Sequence, residues 1–500
     1  MHFFRIPAFL AAALLAGCGS MVVNPVTGQS ERSVMDESTE IAEGQKAHQQ
    51  VLQEYSLYPS TAVQKYVNDL GQKLAAQSHR KQLKWHFTVL DSPEINAFAL
   101  PGGYVYVTRG IMAYMESEAD LAGVIGHEIG HVTARHGAQR ATTQQTAGIG
   151  VFAASILGAV LESQGLPGVG QLAGQVSQTV AAGYVASYGR EQELQADGLG
   201  AEYLSRTSYD PRNMVDVITV LKNQEIFAAD QAKAEGRPAP QRNDWLASHP
   251  SNDQRLEMIT RLAAQYKGQG NYVSEGRERY LSMMQGVTFG DSPAQGLVRG
   301  RNFYHSALGI AMSAPEGWGF QNDTDKLTVI NSGRDAALVM VLVPPKAGNS
   351  HTDIVRNVLK PTQGRAENLS INGLQATRFT GARQNAQGQA QSFVATIVSG
   401  PGGNYLMQYN AKDAQALARA RSQMQEVEGS FRAMTAQDKS AAKPWVIRSA
   451  PYPKGGFAEL ARQSPLANPE KQLRLMNGYY GGGEPKTGQM IKIVALAASE

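Results

Sequence analysis

Two histidines four residues apart flank a glutamate in the run His127-Glu128-Ile129-Gly130-His131. On a helix that spacing places both imidazoles on one face, one turn apart. Both ring nitrogens then reach a single Zn²⁺, while Glu128 points towards a water at the metal. No common structural role calls for two imidazoles and a carboxylate in this order. A catalytic zinc site needs a third protein ligand and leaves a fourth position open. Candidates for the third lie in Arg190-Glu191-Gln192-Glu193-Leu194-Gln195-Ala196-Asp197. Glu193 and Asp197, four apart, share a helix face, so one can bind metal while the other accepts a hydrogen bond from a ligand histidine. Spacing alone leaves Glu191 and Glu193 as alternatives for the metal.

The elements around these residues are legible as well. Ser117 and Asp120 form a capping pair, and Glu116, Glu118 and Asp120 suit the positive end of a helix dipole. Leu121, Val124, Ile125, Ile129 and Val132 recur at helical spacing and predict a helix with a buried stripe. Gly126 and Gly130 lower its intrinsic helicity but admit a neighbouring backbone closely. Upstream, Ile95 to Ile111 reads as strand, Pro101-Gly102-Gly103 turn, strand, with Tyr104 to Thr108 β-branched or aromatic. The residues themselves are as compatible with a buried hairpin as with an edge strand that pairs an extended peptide. Between the two site segments lies a charge-poor insert, about 142–187. Its apolar part, Ile149 to Leu161, is too short for the roughly twenty residues that span a bilayer. A buried helix is the expectation there, with a lid as the alternative.

The run at 127–131, the later Glu193-x-x-Ala196-Asp197, the preceding Asn96-Ala97-Phe98-Ala99-Leu100-Pro101-Gly102-Gly103 and the downstream Ser248-His249-Pro250 with Arg255 occur together and in order. In this the chain resembles the HtpX-type and CAAX-prenyl-protease-type gluzincin metallopeptidases, above all their soluble periplasmic lipoprotein members, from near residue 40 to near 270. The resemblance implies one Zn²⁺ per chain held by His127, His131 and Glu193, with Asp197 behind the ligands and Glu128 as general base. It implies that Asn96, Ala97, Phe98 and Ala99 form the substrate-pairing strand. It also gives His249 two roles to choose between: approaching the zinc in a closed state, or donating to the oxyanion in an open one. Arg255 is expected either to pair with an acidic neighbour or to touch substrate. His136, five residues past His131, falls off the metal face of a continued helix and receives no role; His48, His79, His86, His305 and His351 are read as surface or packing residues.

The expected product is a zinc endopeptidase of the bacterial cell envelope acting on misfolded or unassembled polypeptides. The alternative is an assembly factor or chaperone for outer-membrane proteins with latent proteolysis, and a wall-anchored scaffold is a third reading. Arg5, the apolar stretch Phe9 to Leu15 and Leu15-Ala16-Gly17-Cys18 resemble a lipoprotein signal peptide, with Cys18 as the lipidated residue. Cys18 is the sole cysteine, so no disulfide is expected. Gly19 and Ser20 after it, with no Asp, favour the periplasmic side of the outer membrane. The formal charge of +3 over 500 residues, without a dense basic run, excludes a nucleic-acid footprint.

A chain this long predicts several cores. The expected architecture is a signal peptide (1–17), a tether (18–38), a mainly α, zincin-like peptidase domain with a small β-sheet (39–270), an α+β domain (296–434) and a small C-terminal unit (444–500). In the α+β domain, 307–312, 327–330, 337–343, 376–379 and 392–398 read as strands and 411–431 as a helix. In the last unit, 445–448 reads as a strand, 457–463 and 469–476 as helices and 487–494 as the closing strand. This β-α-α-β order resembles a degenerate LysM module, which makes peptidoglycan a partner to test alongside the outer-membrane assembly machinery. Lys454-Gly455-Gly456 stands where the family has Gly-Asp-Thr.

Overall fold

The computed structural model describes residues 19–146, 188–234, 249, 253–266, 272, 275–323, 325–384 and 389–498. The expected signal peptide, Cys18 and the apolar segment 149–161 lie outside the described residues. From the start the chain runs through β1 (Ser20–Val23), β2 (Ser30–Ser33), α1 (Glu37–Glu54), α2 (Thr61–Ala75), β3 (His86–Leu90), β4 (Ala97–Leu100), β5 (Tyr104–Thr108), α3 (Arg109–Met112) and α4 (Glu118–Thr133). It continues through α5 (His136–Thr146), α6 (Arg190–Arg206), α7 (Asn213–Ala234), α8 (Asp253–Gln265) and α9 (Arg277–Met284).

The stretch expected as a tether is a hairpin from Ser20 onward. Its turn is built by Asn24, whose Oδ1 accepts from the Val26 and Thr27 amides, and by Gly28 at φ +68°. The Asn24 Nδ2 donates 3.1 Å to the Ala134 carbonyl, which ties the hairpin to the far end of α4.

At the N-terminus of α4, Ser117 and Asp120 close the capping box that the sequence predicts. Every residue of this helix is buried, so it is the axle of the domain rather than a surface element. Its glycines settle how close α6 comes. A Cβ on Gly130 would lie 3.1 Å from the Ala196 carbonyl oxygen, and one on Gly126 would lie 3.3 Å from the Gly200 Cα. Two backbones in contact along this line present His127 and His131 to Glu193 across the groove. At the other end the buried Arg80 donates 3.1 Å to the Val132 carbonyl and pairs with Glu40 at 2.8 Å, satisfying a helix end that water does not reach.

Alongside α4 lies a three-stranded sheet in the order β3-β5-β4, with β3 parallel and β4 antiparallel to β5. β4 is therefore an edge strand, and all four of its residues are buried.

After β6 (Thr288–Phe289) the chain forms a separate β-rich region. It comprises β7 (Leu297–Arg299), β8 (Asn302–His305), β9 (Ile310–Ser313), β10 (Trp318–Asn322), β11 (Leu327–Asn331), β12 (Ala336–Leu342), β13 (Gln363–Ile371), β14 (Leu374–Gln384), β15 (Ala390–Gly400), β16 (Gly403–Ala411), α10 (Ala414–Gly429) and β17 (Arg432–Ala433). Seven strands make an antiparallel sheet in the order β10-β11-β12-β16-β15-β14-β13, and β17-β9-β8-β7 make a smaller one. The expected strand at 307–312 starts only at Ile310, because Gly309 at φ +66° closes a turn onto Ser306. The expected helix from 411 starts at 414, where Asp413 accepts from the Ala416 amide at 2.8 Å; residue 411 still belongs to β16.

The last unit is β18 (Trp445–Pro451), α11 (Gly456–Ala461), α12 (Pro469–Met476) and β19 (Met490–Leu496). Its closing strand begins three residues later than expected, after a turn at Gly488 with φ +84°. β18 pairs with β19 and also with β6. Ile447, Phe457, Leu473, Met476, Ile491 and Val494 join the same apolar cluster as Val107, Met112, Leu121 and Ile125 beside α4. At roughly 1.5–3 kcal/mol per fully buried large side chain, those six contribute on the order of 10 kcal/mol, gross, to docking. The buried Lys492 on β19 donates to the Ala113 carbonyl at 2.7 Å and to the Met115 carbonyl, in the loop that leads into α4. Burial pulls its ammonium below the usual lysine range and pushes the neighbouring Glu116 carboxyl above the usual carboxylate range.

Candidate metal centre

Ligand atoms of His127, His131, Glu193 and His249 all lie within 4.8 Å of one another, and all four residues are buried. His127 and His131 come from α4, Glu193 from α6, and His249 from the segment before α8. The His127 Nε2 is 3.0 Å from the His131 Nε2 and 3.2 Å from the His249 Nδ1. Glu193 carboxylate oxygens lie 3.7 Å from the His127 Nε2, 3.6 Å from the His131 Nε2 and 2.9 Å from the His249 Nδ1. A tetrahedron with its vertices about 2.1 Å from the centre has edges of about 3.4 Å, so these separations match one zinc-sized ion.

The hydrogen bonds behind the ligands say which atoms face inward. Asp197 is held well below the usual carboxylate range by Arg255, against the burial that would raise it, and so can only accept. Its Oδ1 is 2.9 Å from the His127 Nδ1, which must therefore carry the proton and leave the Nε2 lone pair turned into the cluster. Arg255, fully buried, grips Asp197 with its Nε and Nη2 at 2.8 and 2.7 Å and reaches Glu193 with its Nη1 at 3.0 Å. The same Nη1 donates 3.1 Å to the His249 carbonyl and so holds that residue's backbone at the site.

Glu128, Glu193 and Asp197 are three buried carboxylates against one guanidinium, an excess of two negative charges when ionised. Inside a protein such an excess is costly unless a cation offsets it. Burial pushes Glu193 up to about 7 despite Arg255, the behaviour of a carboxylate short of positive charge. Burial likewise holds the His249 imidazole down to about 3 and His131 well below its ordinary range, which keeps both neutral as ligands. The residues fit a divalent cation.

Glu128 stands beside the cluster, its Oε1 3.6 Å from the His249 Nε2. Glu191 is exposed, whereas Glu193 is buried in the cluster, so burial separates two residues that spacing leaves level. The expected substrate strand is β4, with Asn96 just before it bonding Thr108 through both its amide (3.1 Å, to Oγ1) and its carbonyl (3.0 Å). Among the described residues, Ala99, Leu100, Pro101, His131 and Tyr188 line one small cavity of about 10 Å³.

Two further neighbours were given no part in the site by the sequence. Tyr188 stacks on the His131 ring at 3.9 Å between centroids and 18° between planes. It sits at the end of the charge-poor insert, where no pattern marks it. His136 is the second, and its reading needs correction. Its Nδ1 is 2.8 Å from the His131 Nδ1, because α4 stops at Thr133 and Arg135 adopts φ +61°. That left-handed turn brings His136 back behind His131, where a continued helix would have carried it away. A third histidine within ten residues of His127 was the available signal.

Residues 61–263 match Peptidase_M48, peptidase family M48. A beta-barrel assembly-enhancing protease of Yersinia pestis is 31% identical over 245 residues, which cover 49% of this chain and 48% of that protein. One from Escherichia coli (strain K12) is 30% identical over 234 residues, 46% of this chain and 45% of that protein. The mitochondrial metalloendopeptidase OMA1 of Schizosaccharomyces pombe is 28% identical over 264 residues, 50% of this chain and 70% of that protein. The chain thus spans about half the length of the beta-barrel assembly-enhancing proteases it matches. Among the described residues no helix is long and apolar enough to cross a membrane.

Proposed function

We propose that this chain, whose residues 61–263 are a peptidase family M48 domain, is a zinc-dependent endopeptidase that hydrolyses polypeptides. The single observation that carries the reading is the four-cornered cluster of His127, His131, Glu193 and His249, with edges near those of a zinc tetrahedron. In it His127, His131 and Glu193 hold the metal, Asp197 orients His127, and Glu128 is the general base. Bound there, zinc supplies Lewis acidity, lowering the pKa of a water towards neutrality and polarising a carbonyl. Glu128 takes the proton of the attacking water and delivers it to the leaving amine. Substrate pairs with the edge of β4, along Asn96, Ala97, Phe98 and Ala99, by main-chain hydrogen bonds that demand no particular sequence.

Metal content tests the ligand assignment. Purified Glu193→Ala is expected to lose its zinc and Glu191→Ala to keep one ion per chain, by elemental analysis. Zinc retained by the first and lost from the second would reverse the choice. Casein hydrolysis that stops with a chelator and returns with Zn²⁺ tests the activity.

The site is proposed to rest closed, with His249 at the fourth corner and Arg255 holding its backbone. His249→Ala opens that corner, and hydrolysis of a short flexible peptide is expected to rise several-fold, with zinc retained. A fall in activity would instead place His249 among the groups that stabilise the oxyanion. A closed resting site also supports the second reading, an assembly factor for outer-membrane proteins with latent proteolysis, in keeping with what the bacterial relatives are called. Complementation of an envelope defect by Glu128→Gln would favour it. Lipidation at Cys18, attachment to the periplasmic face of the outer membrane, and a LysM-like use of residues 444–500 complete the proposal. For the last, the shared core with the peptidase region supports structural use of the unit over glycan binding.

A further inference from the structure

We propose that His136 and Gln195 form a relay that fixes the proton on His131 and so turns its Nε2 lone pair to the metal. The proposal rests on the reading of His131 as a zinc ligand and adds the residues that position it. The chain of donors runs one way only. Gln195 Oε1, on α6, is an acceptor, and the His136 Nε2 lies 2.9 Å from it and must donate. A neutral imidazole with its proton on Nε2 has a lone pair on Nδ1. That lone pair is 2.8 Å from the His131 Nδ1, which must in turn carry a proton. The His131 Nε2 is then left as an acceptor, 3.0 Å from the His127 Nε2 inside the cluster. His136 is fully buried, an environment that disfavours an imidazolium.

The two ligand histidines are therefore oriented by unlike partners. Behind His127 stands a carboxylate, Asp197, with its charge gripped by Arg255. Behind His131 stands an uncharged imidazole–amide pair, which orients the ring without adding another negative charge to a site that already holds three carboxylates. A second carboxylate there would push more electron density to the metal and make it a weaker Lewis acid. Gln195 lies between Glu193 and Asp197 on α6, so one helix supplies a ligand, the partner of His127 and the residue that orients His136 behind His131. A shift of α6 against α4 would disturb all three contacts together.

Zinc affinity by chelator competition is the main readout, alongside the ¹⁵N signature of the His131 tautomer in the zinc-loaded protein and the melting temperature of the metal-free protein. His136→Phe is expected to weaken zinc by about 10–100-fold, the range for loss of a partner behind a metal ligand. His136→Asn, with Oδ1 able to accept where Nδ1 did, should recover most of it. Gln195→Leu should weaken zinc, whereas Gln195→Glu, still a pure acceptor, should bind at least as tightly as the parent. The metal-free melting temperatures of the two Gln195 variants should stay within a few degrees of the parent. Parental affinity in both His136→Phe and Gln195→Leu overturns the relay, as does loss with Glu and retention with Leu, or a proton found on the His131 Nε2. His131→Ala separates the two claims. If it keeps parental zinc affinity the metal reading itself fails; if it loses zinc while the relay variants do not, only the relay fails.

Discussion

Hydrolysis of an unfolded polypeptide is expected to fall by at least about 10³-fold in Glu128→Gln, with one zinc per chain still bound, within the range for loss of a positioned general base. Glu128 is fully buried on α4, next to a ligand but outside the four-cornered cluster. An amide has the shape of the carboxylate it replaces, so the packing of α4 is conserved and only the capacity to take a proton is lost. Single-turnover cleavage of a fluorogenic peptide, read with elemental analysis of the same preparation, checks both halves. Parental rates would end the mechanism. Loss of the zinc would make Glu128 a ligand.

Arg255→Leu is the second large effect, and it falls on stability. The guanidinium touches Asp197 twice, Glu193 once and the His249 carbonyl once, with none of these groups reached by solvent. Removing one partner of a buried ion pair costs about 3–5 kcal/mol, because a charge is left uncompensated in a poor dielectric. Here two carboxylates are stranded, so the upper end applies. At a few degrees per kcal/mol for a domain of this size, the metal-free protein should melt roughly 10 °C lower. Arg255→Lys should be nearly as damaging, since a single ammonium cannot make a two-pronged grip and reach two further oxygens. Excess zinc should restore part of the loss, because the ion offsets the same carboxylates. A melting temperature within 2 °C of the parent would show that the four contacts carry little net energy.

The residues of the candidate site stand out in the sequence because each obeys a local rule. His127, Glu128 and His131 follow helical periodicity, Ser117 and Asp120 the capping rule, and Glu193 with Asp197 the four-residue repeat. The glycines at 126 and 130 announced a close neighbour and left its identity open; Gly200 and Ala196 on α6 supply it. What stayed hidden depends on places where a local rule stops. His136 was misread because helical extrapolation ignores the left-handed turn at Arg135. A tether is the expectation for the Ser20–Ser33 hairpin because its anchor, Ala134, lies 110 residues away. In the β-rich region the sequence expectations hold no strand at β7, β8, β10, β13, β16 or β17, and β13 shows why. It is an edge strand exposed along most of its length, so it lacks the alternation that betrays a half-buried strand.

The lysine on β19 gives the molecule an order of events. Its ammonium holds the two carbonyls in front of α4, yet it is separated from them by 379 and 377 residues of chain. In chain order the histidine helix precedes that lysine by more than 350 residues. Until the last strand arrives, the loop leading into the histidine helix lacks its anchor and the apolar surface beneath it lacks its cover. A chain without β19 would thus carry every side chain of the candidate metal centre without the strand that braces the loop before them. Distance along the chain is thus turned into dependence: the loop before α4 is held, and the apolar surface beside it covered, only while β19 stays in place.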